Sequence, residues 1–303
     1  MVKRDFVSIA DLSPERFRRV IVTAVDLKRR GPQTLLAGKS LALLFQKPSL
    51  RTRVSFDIAM HQLGGHCLYL APEEVGLGKR EAPQDIARVL SRYVSIIAAR
   101  TFAHRDIELL AKYATVPVIN ALSDHEHPCQ AMADLLTVHE KLCGLQGRCI
   151  AFLGDGNNVA ASLAMGAALG GAHFRIASPK GYELSQSVAA KAAEWSRGRF
   201  EMLRDPVEAV RGADVVYTDV WTSMGQESQR EQRLKDFHDY QVTPQLLAKA
   251  KPGALFMHPL PAHHGEEVAA GVVDLPQSVV FDQAENRLHV QKSILLDLLG
   301  AEA

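Results

Sequence analysis

"SLALLFQKPSLRTRVSF" covers residues 40–56 and joins two different periodicities. The apolar run "LALLF" reads as a strand and "QKPS" as a turn. From Arg51 to Leu63 the apolar residues Val54, Ile58, Ala59 and Leu63 recur at helical spacing, which places Ser49 near a helix cap. Strand, short turn and helix form half of a βαβ unit, and that unit commits the chain to a parallel α/β fold. The join also concentrates polar chemistry. First-turn N–H groups lack intrahelical acceptors and carry the positive end of the helix dipole, and Ser49, Arg51 and Thr52 face the same way. The arrangement reads as a phosphate cradle; the competing local reading is a capped helix with two solvated arginines.

Outward from this stretch the same alternation continues. "SIIAAR", "VPVIN", "CIAFLG", "HFRIAS", "DVVYTDV", "ALFMH" and "SVVF" are further strand candidates, interleaved with helical patterns. Ser13 with Pro14 starts one helix, and "QAMADLLTVHEKLCG" ends another at Gly144. A domain junction is expected around residues 131–148. The first α/β domain is expected to take residues 1–140 plus a C-terminal helix, about 284–303, packing back on it; the second takes 141–283. At 303 residues and 47% hydrophobic content, two parallel-sheet α/β domains have enough apolar material for their cores. Thirty-five Lys and Arg against 34 Asp and Glu leave a formal charge of +1, which predicts no nucleic-acid or membrane partner. With no apolar signal core in the first twenty residues, a cytoplasmic location is expected. Cys67, Cys129, Cys143 and Cys149 form no CxxC pair and read as reduced thiols, with neither disulfide nor structural zinc.

Ligands of such sheets bind beyond the carboxyl ends of the strands. Arg100 ends "SIIAAR", where a guanidinium is either aimed at an anion or held in a surface ion pair. His127 and Gln130 follow "VPVIN" and suit a planar polar group such as a carbamoyl, although a lone His is more often structural. "CIAFLGDGNNVAASL" opens like a dinucleotide fingerprint. Its third position falls on Val159 or Ala160, however, and the next strand ends in Ser178 where a ribose-binding carboxylate belongs. Asn157 and Asn158 are instead candidates for a small substrate's carboxylate or amine. Asp219 ends "DVVYTD" and can hold an ammonium, with a Ser223-Met224-Gly225 loop after it. "ALFMHPLPAHHGEEV" carries His258 and a Leu260-Pro261 bond that is a candidate for cis. The "HEH" of residues 125–127 invites a metal reading, but no carboxylate or further imidazole stands at a recognisable ligand spacing, and no metal is expected.

Seven ordered motifs carry a resemblance over nearly the whole chain: "KPSLRTRVSF", "GKREAPQDIARVLSRY", "HPCQAMADLLT", "FLGDGNNVAASL", "DVWTSMGQE", "HPLPAHHGEEV" and "FDQAENRLHVQKSIL". Together they resemble the aspartate/ornithine carbamoyltransferase family, and the SMG loop goes with ornithine as acceptor. The resemblance implies two domains, one for carbamoyl phosphate and one for ornithine. Ser49, Leu50 through its backbone N–H, Arg51, Thr52, Arg100, His127, Gln130 and Arg287 would bind carbamoyl phosphate, joined by Pro259 and Leu260. Asn158, Asp219, Ser223 and Met224 would bind ornithine. The catalytic set would be Arg51, Arg100, His127, Gln130 and Asp219, acting without a cofactor in a homotrimer that shares its sites between subunits. Leu50 departs from the Thr of "STRTR", Gly76 from a Gln that some relatives extend into a neighbouring subunit, and Pro259 from the Cys of "HCLP". "HPLP" is the form of the aspartate-using relatives. Another amine acceptor, a non-catalytic relative and a zinc amidohydrolase are the alternatives.

Overall fold

The computed structural model describes residues 3–196, 199–223 and 225–301. The chain divides into two compact units, Met1–Leu136 with Glu285–Ala303, and Thr137–Ala284.

In the first unit the order is α1 (Pro14–Arg30), β1 (Ser40–Phe45), α2 (Leu50–Gln62), β2 (His66–Leu70), α3 (Pro72–Val75), α4 (Pro83–Leu90), β3 (Ile96–Arg100), α5 (His104–Tyr113), β4 (Val118–Leu122) and α6 (Pro128–Leu142), the last running on past Leu136. The second continues with β5 (Cys149–Leu153), α7 (Asn158–Gly170), β6 (His173–Ala177), α8 (Gln186–Ser196), β7 (Phe200–Leu203), α9 (Pro206–Val210), β8 (Val215–Thr218), α10 (Arg230–Asp236), α11 (Pro244–Leu247) and β9 (Leu255–Met257). α12 (Val280–Leu299) closes the chain and supplies Glu285 onward to the first unit. Both sheets are wholly parallel, in the orders β2-β1-β3-β4 and β7-β6-β5-β8-β9. The chain is therefore the two-sheet parallel α/β protein that the alternation predicts.

Burial explains which strands the sequence reveals. β3, β4 and β5 are buried at every position and β1 at all but its first, because helices cover both faces of a parallel sheet, and they read as continuous apolar runs. The edge strands β2 ("HCLYL") and β7 ("FEML") contain no fully buried residue, and their mixed composition hides them. β4 starts two residues later than "VPVIN" suggests, since Pro117 has no N–H for the ladder. "SVVF" is not a strand. Ser278 makes a single bridge to Phe256, after which Val280 and Phe281 form the first turn of α12, with Phe281 65% exposed.

α12 does pack back on the first unit. Asp297 takes Arg16 at 2.7 Å and Arg19 at 2.6 Å, Ser293 Oγ donates to the Val20 carbonyl at 2.8 Å, and Lys28 Nζ donates to Asn286 Oδ1 at 2.8 Å. Lys292, fully buried, reaches Gln62 Oε1 at 3.0 Å. These contacts bring the helix face that carries Arg287 against α1 and α2.

Candidate functional site

The first unit gathers cations at the ends of its central strands. Ser49 caps α2, accepting from the Thr52 N–H at 3.4 Å and donating to Thr52 Oγ1 at 3.0 Å. The helix therefore starts at Leu50, one residue before Arg51; the Leu50 side chain is exposed while its N–H lies in the first turn. Register sets Phe45 opposite Arg100, and the β3–β4 ladder shifts between Ala99 and Arg100, so Arg100 leaves the sheet at the level where β1 turns into α2. Arg287 Nη2 donates to Thr52 Oγ1 at 2.7 Å, and Nη1 donates to Gln130 Oε1. Gln130 Nε2 in turn donates to Asp134 Oδ1 at 2.8 Å. The Gln130 amide thus ties Arg287 to α6, a link invisible in the sequence.

The electrostatics is that of a site built for a negative guest. Arg100 is 6% exposed, and burial, then Arg287 and Arg51, push its guanidinium down to about 10. Burial also lowers Arg51. Lys47 falls to about 8 through burial and then Arg100, against a weaker pull from Asp124. His127 lies well below the ordinary imidazole value because of burial, then Arg287, Arg100 and Lys47, so its ring is neutral at pH 7 and offers an N–H to a carbonyl oxygen. Among the described residues, Lys47, Arg51 and Arg100 make no ion pair with a carboxylate, which removes the surface-pair reading of Arg100. Lys47, which stacks 4.9 Å from the Phe102 ring, belongs to this set although the reading of the sequence passed it over. Its signal was its place in the same four-residue turn as Ser49.

The second unit presents a carboxylate. The turn Gly154-Asp155-Gly156-Asn157 joins β5 to α7, and a Cβ on Gly156 would stand 2.3 Å from the Leu184 amide nitrogen and 2.4 Å from the Glu183 carbonyl carbon. That glycine makes room for the chain's own backbone rather than for a pyrophosphate. Asn157 caps α7 through Oδ1, accepting from Val159 N at 2.9 Å and Ala160 N at 3.1 Å, and its Nδ2 donates to Asp219 Oδ2 at 2.8 Å. It orients Asp219, so the ligand reading of Asn157 gives way to a structural one. Asn158 is the first residue of α7. Asp219 stands just past β8 and is buried, which raises its carboxyl, while His258, Asn157 and the Val220 amide oppose that rise. Ser223 donates its backbone N–H to Gln226 Oε1 at 3.1 Å. Met224 lies outside the described residues.

Beyond β9, His258 is fully buried; its Nδ1 accepts from the Leu260 N–H at 2.9 Å, leaving Nε2–H to donate to Glu267 Oε1 at 3.2 Å. Burial pushes the Glu267 carboxyl up, but the bonds from His258 and the His263 amide outweigh it and hold it below the usual range. The Leu260-Pro261 bond is cis, and Leu260 is left-handed at φ 58. Pro259 and Leu260, grouped with carbamoyl phosphate from the sequence, belong to this second unit. The "HEH" motif forms no metal cluster among the described residues, His125 packing against the His104 ring at 5.2 Å. The expectation that no carboxylate stands at metal spacing needs correcting. His263, Glu266 and Glu267 bring three ligand atoms within 4.8 Å of one another. Protein partners already engage these groups, Arg230 on Glu266 and both His258 and the His263 amide on Glu267.

A strand-end cluster of unpaired cations with a neutral imidazole, and separately a buried carboxylate beyond a strand, define a two-domain α/β protein that takes an anionic and an ammonium-bearing small molecule. The comparisons narrow this. The carbamoyl-P binding domain of the aspartate/ornithine carbamoyltransferases matches residues 4–140 and their Asp/Orn binding domain residues 146–298; the chain belongs to this family. It is 53% identical to the ornithine carbamoyltransferase of Pyrococcus abyssi, covering 98% of this chain and 96% of that one. It is 52% identical, with the same coverage, to the ornithine carbamoyltransferase of Pyrococcus furiosus named anabolic. A solved structure of ornithine carbamoyltransferase from Pyrococcus furiosus superposes with a TM-score of 0.95 at 50% identity, over 100% of this chain and 99% of that one.

Proposed function

We propose that this chain transfers the carbamoyl group of carbamoyl phosphate to the δ-amine of L-ornithine, giving L-citrulline and phosphate. The observation that carries the reading is the cation set of Lys47, Arg51 and Arg100, which makes no ion pair with a carboxylate among the described residues and lies in the matched carbamoyl-P binding domain. Ser49, the Leu50 N–H, Arg51, Thr52, Arg100 and Arg287 hold the phosphate. His127 donates to the carbamoyl oxygen, and Gln130 keeps Arg287 in place. Asp219, with Asn158, Ser223 and Met224, holds ornithine, and Pro259 and Leu260 follow β9 in the same unit as Asp219.

The neutral δ-amine attacks the carbamoyl carbon. Negative charge develops on the carbonyl oxygen and then on the departing phosphate, and donors already oriented toward both stabilise that charge without reorganising. The leaving phosphate takes the amine proton, so neither a covalent intermediate nor a cofactor enters the sequence. A buried carboxylate at Asp219 favours a cationic acceptor and repels the second carboxylate of aspartate. The residues divide between residues 1–140 with the C-terminal helix and residues 141–283.

An anabolic role in arginine biosynthesis follows from the likeness to the relative that carries that word in its name. We further propose a cytoplasmic homotrimer. No helix among the described residues is long and apolar enough to cross a membrane. Leu50, Val54 and Ile58, exposed at 76%, 48% and 39% and spaced four apart on α2, support a covered face in the assembly. Light scattering at about three times the chain mass is the expected result.

The decisive test is a colorimetric citrulline assay with ornithine, putrescine, aspartate and N-acetylornithine as acceptors. Ornithine should be preferred by a wide margin; faster carbamoylation of any other acceptor overturns the assignment.

A further inference from the structure

We propose that Arg233 is a positioning residue for the acceptor loop, holding the segment after Asp219 against the β5–α7 turn; this rests on the reading of Asp219 as the ornithine anchor. Arg233 lies on α10 and is 5% exposed. One nitrogen, Nη1, donates both to Asp155 Oδ2 and to the Trp221 carbonyl, each at 2.7 Å. Nε donates to Gln229 Oε1 at 3.3 Å. Among the described residues, apart from the Val220 amide on the adjoining Asp219, the side-chain hydrogen bonds that tie segment 220–229 to the rest of its unit all come from Arg233. Trp221 Nε1 and Thr222 Oγ1, both buried, have no hydrogen-bond partner among the described residues and contribute no fastening of that kind.

The same two loops are joined a second time by Asn157 Nδ2 on Asp219 Oδ2. Asp155 and Asn157 are two residues apart in one turn, and Asp219 and Trp221 two apart in one loop, so the links run side by side. The Asn157 link touches the acceptor carboxylate itself, and the Arg233 link fixes the backbone two residues beyond, where the chain turns toward Ser223. The guanidinium also stacks 4.9 Å from the Tyr182 ring, which fixes its plane. Burial raises the Asp155 carboxyl and Arg233 draws it back, as in a dry pair in which each partner needs the other.

Because both 2.7 Å bonds leave a single nitrogen, an ammonium in that place can make both. The test is steady-state citrulline formation by the full chain carrying Arg233→Met or Arg233→Lys, with each substrate varied in turn and Tm recorded. Arg233→Met should raise the KM for ornithine at least about tenfold while the KM for carbamoyl phosphate stays within about threefold, and Arg233→Lys should recover most of that rise. An unchanged ornithine KM in Arg233→Met, equal rises in both KM values, or a loss of kcat alone that follows a fall in Tm overturns the proposal. If the Met variant does not fold, Asp155→Asn takes its place, with a rise of about threefold or more in ornithine KM expected and an unchanged value refuting. A wild-type protein that makes no citrulline from ornithine sinks the proposed reaction instead, and is distinguished by needing no variant at all.

Discussion

Arg100→Met separates the cost of a site from its use. Arg100 is 6% exposed, and burial with Arg287 and Arg51 nearby holds its guanidinium at about 10. An arginine ordinarily stays above 12, so the charged form carries a penalty on the order of 3 kcal/mol in the fold. The sign follows from the direction. A depressed cation is disfavoured in the folded state at every pH below its folded value, and relief comes only as pH rises through about 10. At pH 7 the whole penalty is present. Met has comparable length and no charge; imperfect packing returns roughly 1 kcal/mol. Without ligand, the variant should be as stable as wild type or up to about 2 kcal/mol more stable, a Tm rise of up to about 3 °C. Inorganic phosphate at about 100 times Kd should stabilise wild type by about 2.7 kcal/mol and the variant far less, reversing their order. Thermal denaturation with and without phosphate reads both. A loss above about 2 kcal/mol without ligand, or an undiminished phosphate effect in the variant, would show that Arg100 serves the fold and not an anion.

Asp219→Asn should raise the KM for ornithine at least about tenfold and leave that for carbamoyl phosphate within about threefold, since an amide cannot match a carboxylate in holding an ammonium; the reverse pattern means the two substrates are assigned to the wrong units. Lys47 is held at about 8, and a bound dianion favours its charged form, so sulfate affinity by calorimetry should fall as pH rises through that value, by up to about tenfold per unit. Constant affinity from about pH 7 to 9.5 removes Lys47 from the site. Gly156→Ala puts a methyl 2.3 Å from backbone and should cost about 1–3 kcal/mol in chemical denaturation; wild-type stability refutes the crowding argument. Pro259→Cys should change ornithine efficiency by no more than about tenfold, because the chemistry calls on no thiolate, and activity that appears only in that variant refutes this.

Much of the fold was legible in the sequence because a doubly covered parallel sheet writes itself as apolar runs, and the residues that follow them are the candidates for a site. Ser49, Arg100 and Asp219 stand at or just past those ends, where position made them candidates and the family resemblance chose between the readings of each. The losses have specific causes. β2 and β7 are edges with mixed burial, and "SVVF" is an apolar stretch too short to separate a strand from a first helical turn. Asn157 looked like a ligand because capping and substrate binding call for the same amide. Lys47 sat inside the turn before α2, yet only the structure shows that it lies near Arg100 and that the pull of Asp124 is the weaker influence. Arg233 had no signal at all, since nothing local distinguishes a helical arginine aimed at a neighbouring loop from one in water.

The docking of α12 onto α1 has a consequence for how the protein is made. The first unit's four strands are complete in the chain before Leu136, but its last helix, with Arg287, Lys292 and Asp297, follows the whole of Thr137–Ala284. At about 5–20 residues per second, translation needs roughly 7–30 seconds to cross that interval. For that time the nascent first unit has Thr52 and Gln130 without the guanidinium that joins them, and α1 without the partner of Arg16 and Arg19. A chain cut short before residue 287 therefore carries Ser49, Arg51, Thr52 and Arg100 but not the arginine that bridges Thr52 and Gln130.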